Sequence, residues 1–539
     1  MTEISLLWPE GWKLKNAMPE ALLQQKIYPY DGQQDSTRHP LLIDPKDVVD
    51  SDNIIYTTYS TKKKRPGVSP AFIVRPAGNQ PIMGGVDFWR LGVQKIVFYQ
   101  DGRIKTSNSL GQVEDITGSF ILPKDETVTF VTFQGFLAIF FSGGTVSPKA
   151  YIGSGIIFEL GAGIPNAPFG RVWLNKLWIP DPTLPGRLLH SKTGDPTDFS
   201  GGDSGEEDLD VSDGDPDGIT AIFPPFFGSL YVAKRYSVYK LTPITFDGSV
   251  YFYQHAKISD GVGCNSHNAV VPVESNIFFT SDRGVHVFQS TDKVSAVDTA
   301  FLSSVIQPPW VDDVNFKRSR YMQAVYDVEL NSYVLIFPTQ GRNLPSDVWG
   351  YSVQAGKWYR WRDYDHTAIF RFLDFTERRP KTFVGSTEGD FGVIDQNVKR
   401  DYGIDYSLWL QSGIIAPGGS PDDRFSFQSI APIFVPQATG KFTISYKIDS
   451  RTIDTLEFSL VSDEGGDELA VDFIPGISVL GGIPEVKIDK RNISGYGMLY
   501  SMFIEHEPTP NIDEEEDFEL LGILVDVDRV QKTTGEVSA

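Results

Sequence analysis

Hydrophobic and polar positions alternate along most of this chain with the two-residue period of β-strands. Short runs rich in Val, Ile, Phe and Tyr recur, and Gly, Asp or Asn bound or split each run. Examples are QKIVFYQDGRIKTS, TVTFVTFQGFLAIFFSG, SLYVAKRYSVYKLT and NIFFTSDRGVHVFQS. The pattern predicts a mostly-β protein.

Turn signals place hairpins between these runs. Asp101-Gly102 is typical of a two-residue hairpin turn, and Asp282-Arg283-Gly284 and Glu388-Gly389-Asp390 are typical of slightly longer hairpin loops. Helical spacing of apolar residues occurs in two stretches, 17–27 and 295–306, where we expect helices.

The predicted hairpins recur at roughly the 40 to 50 residue period of β-propeller blades. We therefore predict a β-propeller of about six to eight blades over residues 69–400. Trp349, Tyr351, Trp358 and Trp361 lie in one predicted hairpin, DVWGYSVQAGKWYRW. We expect these aromatic side chains to fill the space between neighbouring sheets; the alternative is an exposed platform that stacks against sugars.

The pattern changes after Asp395. A Pro/Gly-rich connection leads into further alternating strands, which predict a C-terminal β-sandwich over residues 401–539. This last part carries 25 Asp and Glu against 9 Lys and Arg. Residues 1–68 read as an extended N-terminal docking segment that precedes the propeller.

Composition narrows the cellular context. The 539 residues are 40% hydrophobic, enough for a large core, and no apolar run approaches the roughly 18 to 20 residues of a membrane span. The N-terminus lacks the pattern of a secretory signal, so we expect synthesis in a reducing cytoplasm. Cys264 is the one cysteine, which excludes an intrachain disulfide and favours a buried structural role.

A compact basic cluster stands out against a formal net charge of −22. Lys62, Lys63, Lys64 and Arg65 are consecutive, and Pro66-Gly67 closes the run. The interpretations are a solvated loop, a nucleic-acid patch or a protein interface. A sequence pI near 4.8 argues against specific DNA binding.

Motifs for catalysis and cofactor binding are missing from the sequence. It contains no Gly-x-Ser-x-Gly elbow, phosphate loop or His-Glu-x-x-His site, and around Ser281 it does not match the Asp box of sialidases. Asp213, Asp215 and Asp217 resemble the start of a calcium loop, but the twelfth position is Pro224 instead of Glu. We interpret this stretch as a solvated loop, and predict no enzyme activity, no cofactor and no metal.

The order of several motifs resembles the tail tubular protein B (tail nozzle) family of short-tailed bacteriophages. The resemblance begins with the Pro/Asp-rich segment MPEALLQQKIYPYDGQQDSTRHPLLIDPKDVVDSDNIIY, followed by KKKRPG and then by hairpins. It continues through GRVWLNKLWIPDPTLPGRLLHSKTGDPTDFSG, DGITAIFPPFFGSLYVAKRYSVYKLT and KISDGVGCNSHNAVVPVESNIFFTSDRGVHVF, and covers most of the chain. The chain looks shorter than typical nozzle proteins, so an insertion at the distal tip is not expected.

This resemblance implies a structural virion protein, made in the host bacterial cytoplasm, that forms a ring of six copies around the DNA-ejection channel. Its partners would be further copies of the chain and other tail or portal-adaptor proteins. An acidic channel wall would repel passing DNA, whereas a lysine-lined wall would hold it. The basic cluster from Lys62 to Arg65 would then contact acids on a neighbouring subunit or on the tail ring above, with Pro66 and Gly67 directing the chain into the first blade.

Two other functions remain open from the sequence. A host-surface adhesion protein would present an exposed aromatic patch such as Trp358 and Trp361. A glycan hydrolase would need a pair of carboxylates, and no sequence feature selects one pair among the 70 Asp and Glu residues.

Overall fold

The computed structural model describes residues 24–29, 31–75, 79–108, 110–161, 163–209, 217–246, 249–290, 297–374, 377–417, 424–461, 486–509 and 515–530. The chain is mostly β, as the alternation predicts. Short helical segments are α1 (Gln307–Asp313) and 3₁₀ turns at Pro40–Leu42, His267–Ala269, Ser304–Ile306 and Phe316–Tyr321. Within the described residues, no helix is long and apolar enough to cross a membrane.

Five short strands precede the main series of sheets. They are β1 (Gln24–Pro29), β2 (Val48–Asp52), β3 (Ile54–Tyr56), β4 (Lys62–Lys64) and β5 (Gly67–Pro70).

Six four-stranded antiparallel sheets then follow in chain order within the described residues. The first three contain β6 (Ile82–Arg90), β7 (Val93–Gln100), β8 (Arg103–Ser107) and β9 (Val113–Asp115); β10 (Val128–Phe133), β11 (Phe136–Phe141), β12 (Lys149–Tyr151) and β13 (Phe158–Glu159); and β14 (Arg171–Trp173), β15 (Lys176–Pro180), β16 (Arg187–His190) and β17 (Gly205–Asp208). The next three contain β18 (Ile219–Ile222), β19 (Leu230–Lys234), β20 (Ser237–Phe246) and β21 (Ser249–Asp260); β22 (Val271–Val273), β23 (Asn276–Ser281), β24 (Gly284–Ser290) and β25 (Val297–Phe301); and β26 (Gln323–Asp327), β27 (Ser332–Phe337), β28 (Asp347–Ser352) and β29 (Lys357–Trp361).

A seventh sheet combines strands from distant parts of the chain. It contains β30 (His366–Asp374), β31 (Arg379–Ser386), β32 (Phe391–Asp395), β33 (Arg400–Asp401) and β34 (Ile404–Asp405), together with the N-terminal strand β5. Strand β5 pairs antiparallel with β32 and parallel with β33. The segment after the basic cluster therefore enters this last sheet, and the expectation that Pro66 and Gly67 lead into the first one is wrong.

The series of sheets closes on itself in a propeller-like arrangement. The hydroxyl of Thr367 at the start of β30 donates to the carbonyl oxygen of Ile82 at the start of β6, at 2.6 Å. A Cβ on Gly85 of β6 would overlap the ring of Phe370, so the first and last sheets are in direct contact. The sheets are thus small, consecutive and packed face to face around a common centre.

Residues in or just before the first strand of the second, third and fifth sheets contact one another across this centre. Thr129 of β10 hydrogen-bonds Asn268, which precedes β22, at 2.7 Å. The rings of Phe169 and His267, from the segments before β14 and β22, stack with centroids 4.4 Å apart. These contacts join non-neighbouring sheets, so side chains occupy the middle of the series at this level.

Two further sheets lie at the C-terminal end, and both take strands from the N-terminal segment. Their C-terminal strands are β35 (Leu408–Ser412), β36 (Phe425–Phe434), β37 (Lys441–Ile448), β38 (Arg451–Ser459), β39 (Lys487–Ile488), β40 (Arg491–Gly497), β41 (Tyr500–His506) and β42 (Glu519–Arg529). Strands β1, β3 and β4 join the sheet of β36, β39, β40 and β42, and β2 joins the sheet of β35, β37, β38 and β41. The N-terminal segment is therefore part of these sheets.

One hydrophobic core runs from the C-terminal sheets into the sixth and seventh sheets. Leu410, Phe442 and Ile523 of the C-terminal sheets belong to the same buried cluster as Val348 and Trp361 of the sixth sheet. Strand β27 of the sixth sheet is buried on both faces, because Val334 and Ile336 belong to this cluster whereas Tyr333 and Leu335 belong to a second buried cluster.

The local sequence signals succeed at turns and fail at helices. Asp101 and Gly102 both have positive φ, 49° and 69°, which fits the tight turn predicted between β7 and β8. Ser281 pairs directly with Gly284, so the loop there has two residues. The expected helix at 295–306 is wrong for 297–301, which form β25 and pair along their length with β24, whereas Ser304–Ile306 form a 3₁₀ turn before α1. Residues 24–27 of the other expected helix lie in β1, and 17–23 lie outside the described residues.

Replacing Gly67 tests the closure of the seventh sheet by β5. A Cβ at Gly67 would lie 2.2 Å from the backbone oxygen of Arg400, so we expect Gly67→Ala to lower the free energy of unfolding by about 1–3 kcal/mol. Urea denaturation measures the change. Gly218→Ala is the matched control, because nothing lies within 4 Å of its Cβ, and we expect it to stay within about 0.5 kcal/mol of the unchanged protein. Equal stability of the two variants would contradict the tight packing of β5.

Candidate functional site

The basic cluster lies where the chain passes from the C-terminal sheets to the seventh sheet. Strand β4 pairs with β42, Lys62 opposite Leu520 and Lys63 opposite Glu519. After two intervening residues, Gly67 begins β5 and pairs with Asp395 of β32. Arg65 and Pro66 thus form the crossing between two parts of the fold.

The two lysines of the cluster that face inward are fully buried. The ammonium of Lys62 donates to the carbonyl oxygen of Gly32 at 2.9 Å, and that of Lys64 to the carbonyl oxygen of Glu516 at 3.0 Å. Burial lowers the pKa of Lys62 to about 7, with nearby Lys357 acting in the same direction. Burial also lowers the pKa of Lys64 to about 8. A buried ammonium loses part of its affinity for a proton because desolvation penalises the charge.

Arg65 is the most completely engaged cation of the cluster. Its guanidinium forms a bidentate pair with the carboxylate of Asp401 and donates from Nε to the side-chain oxygen of Asn53 at 2.7 Å. It also lies over the ring of Tyr406, 3.7 Å from the centroid. Asp401 accepts in addition from the backbone N–H of Val68, so one carboxylate holds both the cation and β5.

These contacts correct the interface expected from the sequence. Lys62, Lys64 and Arg65 are at most 3% exposed, and their charged groups hydrogen-bond with partners in the same chain. Lys63 is partly exposed but pairs with Asp517 at 2.9 Å. The cluster therefore joins the N-terminal segment, the seventh sheet and the C-terminal sheets.

A cleft of about 950 Å³ opens beside Arg65. Side chains from the crossing, the seventh sheet and the start of β35 line it; the residues that matter for its chemistry are Asp52, Arg65, Tyr364, Asp365, His366, Glu388, Asp390, Asp401, Tyr402 and Tyr406. Carboxylates outnumber cations around this cleft. Its composition suits a polar ligand that is neutral or positively charged, because an anion would meet this excess of negative charge.

Burial shifts the pKa of two groups of the cleft, His366 and Asp52, in opposite directions. Burial lowers the pKa of His366 to about 4 and raises the pKa of Asp52 to about 6. His366 Nε2 lies 3.3 Å from the hydroxyl of Tyr402. Among the described residues, Nδ1 of His366 and the hydroxyl of Tyr364 have no hydrogen-bond partner.

The other predicted sites are distributed as follows. Asp213 and Asp215 of the calcium-like stretch lie outside the described residues, and Asp217 precedes β18. No group of three or more His, Cys, Asp or Glu side chains is placed to hold a metal in the part of the chain that the structure describes. Cys264 is buried, as expected for a structural cysteine, and burial raises its pKa to about 12.

The aromatic residues of the predicted hairpin are packed inside the protein. Trp349, Trp358 and Trp361 are at most 1% exposed. The indole N–H of Trp358 donates to the carbonyl oxygen of Leu302, and that of Trp361 to the carbonyl oxygen of Ile54. They fill the space between elements, as one interpretation predicts, and they form no exposed sugar platform.

The partners of Arg65 escape sequence reasoning. Asp401 and Tyr406 lie in the stretch RDYGIDYS, more than 330 residues after Arg65. The alternating Asp and Tyr residues of that stretch are the one local signal, and nothing in it points to the N-terminal cluster.

Comparisons with known proteins give no family assignment. No family model and no curated protein matches the chain. Among solved structures, the computationally designed Ika8 protein matches with a TM-score of 0.36 and 12% identity over 60% of this chain and 98% of that one. Virginiamycin B lyase from Staphylococcus aureus matches with a TM-score of 0.39 and 10% identity over 59% and 96%. Similarity at this level supports no inference about function.

Removing the charge of Asp401 tests the role of the Arg65 contact. We expect Asp401→Asn to cost about 3 kcal/mol of stability, because Arg65 would stay buried without its counter-charge while the amide oxygen can still accept from Val68. Glu457→Gln is the control, since it breaks an exposed pair with Lys441 and should cost less than about 1 kcal/mol. Urea denaturation of both variants measures the difference, and equal costs would contradict the prediction.

Buried histidines predict loss of stability in mild acid. Burial lowers the pKa of His286 and His366 to about 4 and that of His506 to about 3, below the 6.5 of an exposed imidazole. Unfolding therefore takes up protons between about pH 6.5 and 4, so stability is full above pH 6.5 and falls as the pH drops. Asp52, whose pKa burial raises to about 6, acts in the opposite direction between pH 3.8 and about 6. Burial also raises the pKa of Asp47, Asp327, Glu329, Asp365 and Glu505, and these groups act in the same direction as Asp52.

Urea midpoints at pH 7 and pH 5 measure this dependence. We expect His506→Phe, which keeps a ring against Phe518, to reduce the loss between the two pH values. His39→Gln, at an exposed position, should leave it unchanged. A loss that is the same in His506→Phe as in the unchanged protein would show that His506 does not contribute.

Proposed function

We propose that this chain is a structural protein of a bacteriophage tail, which assembles as a ring of six copies around the DNA-ejection channel. Each copy would contain a seven-bladed β-propeller, whose last blade includes β5, and a C-terminal β-sandwich that includes the N-terminal strands. The ordered resemblance to the tail nozzle family provides the hypothesis. The observation that carries it is the distribution of charge.

The exposed part of the chain is more acidic than the sequence total suggests. Among the described residues, eight Lys or Arg are buried against six Asp or Glu: Lys62, Lys64, Arg65, Lys149, Lys176, Lys234, Arg360 and Lys399, against Asp35, Glu126, Asp327, Asp347, Glu516 and Asp526. The basic cluster, which would be the strongest attraction for a nucleic acid, is among the buried groups. A surface of this kind repels DNA and lets it pass without sticking.

The filled centre of the sheet series adds a constraint on any DNA path. Thr129 contacts Asn268 and Phe169 stacks on His267 where an axial opening would have to run. DNA would therefore pass between copies of the chain, which requires a closed ring with head-to-tail contacts. Neighbouring proteins in this proposal are other tail or portal-adaptor rings, and the site of action is the virion tail.

The adhesion and hydrolase alternatives gain no specific support. The proposed sugar platform needs exposed Trp358 and Trp361, and both are buried. The cleft beside Arg65 contains several carboxylates, and burial raises the pKa of Asp52 and Asp365, but no observation assigns either of them the role of acid or base that a glycosidase needs.

Electron microscopy tests the proposal at two levels. The purified chain should form closed rings with sixfold symmetry, at a mass six times the 60.0 kDa of one chain. Antibody-gold labelling of intact particles from the source lysate should mark the single tail vertex. Label on radiating fibres would favour adhesion, and the absence of label from all particles would contradict a virion role.

A further inference from the structure

A second cavity lies at one end of the centre of the sheet series. Its volume is about 520 Å³, and it is lined by Pro123, Lys124, Asp125, Glu126, Arg318, Arg320, Tyr321, Asn343 and Leu344. The two main lining segments precede β10 and β26, the first strands of the second and sixth sheets. The cavity shares no lining residue with the cleft beside Arg65.

Two arginines share one anchor in this cavity. Nη1 of Arg318 and Nη2 of Arg320 donate to the hydroxyl oxygen of Tyr321, at 3.2 and 3.3 Å. The hydroxyl itself donates to the carbonyl oxygen of Asp125, and the ring of Tyr321 is 1% exposed. The guanidinium carbons lie 5.4 and 5.2 Å from the ring centroid. A buried, hydrogen-bonded tyrosine thus holds two like charges side by side.

These two cations have no carboxylate partner. Among the described residues, neither Arg318 nor Arg320 forms an ion pair, and the adjacent Lys317 forms none either. Each guanidinium has five N–H donors and uses one of them in the hydrogen bond to the hydroxyl of Tyr321. Because both guanidinium groups donate to the same hydroxyl, they lie close enough to repel each other, and an anion placed between them would relieve the repulsion.

The two acids of the cavity do not fill this role. Glu126 is turned to the backbone N–H of Gly143 and the hydroxyl of Thr145, at 2.9 and 3.1 Å. Asp125 lines the cavity without an ion pair to either arginine, so it would weaken anion binding without preventing it. Lys124 at the edge is already paired with Asp101 at 2.8 Å.

We propose that this cavity binds a small compound with a terminal phosphate group, held between Arg318 and Arg320. A phosphate dianion matches two positive charges, and its oxygens match two planar guanidinium forks better than a single carboxylate does. A volume of about 520 Å³ is within the usual range of small-ligand pockets. A nucleic-acid backbone is disfavoured, because its many phosphates would meet an acidic surface. The inference does not depend on the tail function.

Calorimetric titration of the full chain with sodium pyrophosphate tests the site, at pH 7.5 and constant ionic strength. We expect saturable binding, and a loss of at least tenfold in affinity for Arg318→Gln/Arg320→Gln. The matched control, Arg38→Gln/Arg103→Gln, removes the same charge from two exposed arginines elsewhere and should bind as the unchanged protein does. Asp125→Asn should bind several-fold more tightly because it removes the repelling carboxylate.

Three results would overturn the proposal. The first is no binding of pyrophosphate by a protein that melts normally. The second is equal binding by the Arg318→Gln/Arg320→Gln variant and its control, which would place any bound anion elsewhere. The third is binding of a single-stranded oligonucleotide that lacks a terminal phosphate without binding of pyrophosphate, which would identify a nucleic-acid backbone as the ligand.

Discussion

The buried charge of Arg65 is the constraint on which the rest of this structure depends. A guanidinium out of water is tolerated only when a counter-charge and hydrogen-bond acceptors surround it. Here Asp401 supplies the charge, Asn53 accepts from Nε, and Tyr406 covers one face. These partners come from the N-terminal segment, the seventh sheet and the connection to β35. The orientation of the three parts is therefore coupled at one residue, and the shared hydrophobic core extends from that point.

Local features of the fold are predictable from the sequence, and the long-range ones are not. Alternation predicts the strands, and Asp101-Gly102 predicts its turn, because both depend on a few adjacent residues. The seventh sheet escapes prediction because β5 pairs with a strand more than 320 residues away. The same limit explains the cation cluster. Four consecutive basic residues are typical of an exposed patch. Only the fold shows that Asp401 pairs with Arg65, that Asp517 pairs with Lys63, and that the backbone carbonyl oxygen of Glu516 accepts from Lys64.

Sequence reasoning also missed the cations that have no counter-charge. Arg318 and Arg320 lie in the stretch NFKRSRY, where the density of positive charge along the chain is lower than in the run from Lys62 to Arg65. Their importance follows from what surrounds them: a concave wall, a tyrosine hydroxyl shared by both, and a Glu126 carboxylate that hydrogen-bonds Gly143 and Thr145 instead of pairing with them. The sequence shows where basic residues cluster, but the ion pairs in the fold decide which of these cations are available to a ligand.

The position of β5 in the seventh sheet has a consequence for synthesis on the ribosome. The chain emerges N-terminus first, so β1, β2, β4 and β5 leave the exit tunnel before their partner strands β32, β35 and β42 have been translated. At about 5–20 residues per second, these strands wait tens of seconds with unpaired edges. Exposed edges of this kind promote aggregation. Productive folding of the nascent chain thus depends on keeping its first seventy residues apart from other molecules until translation is nearly finished.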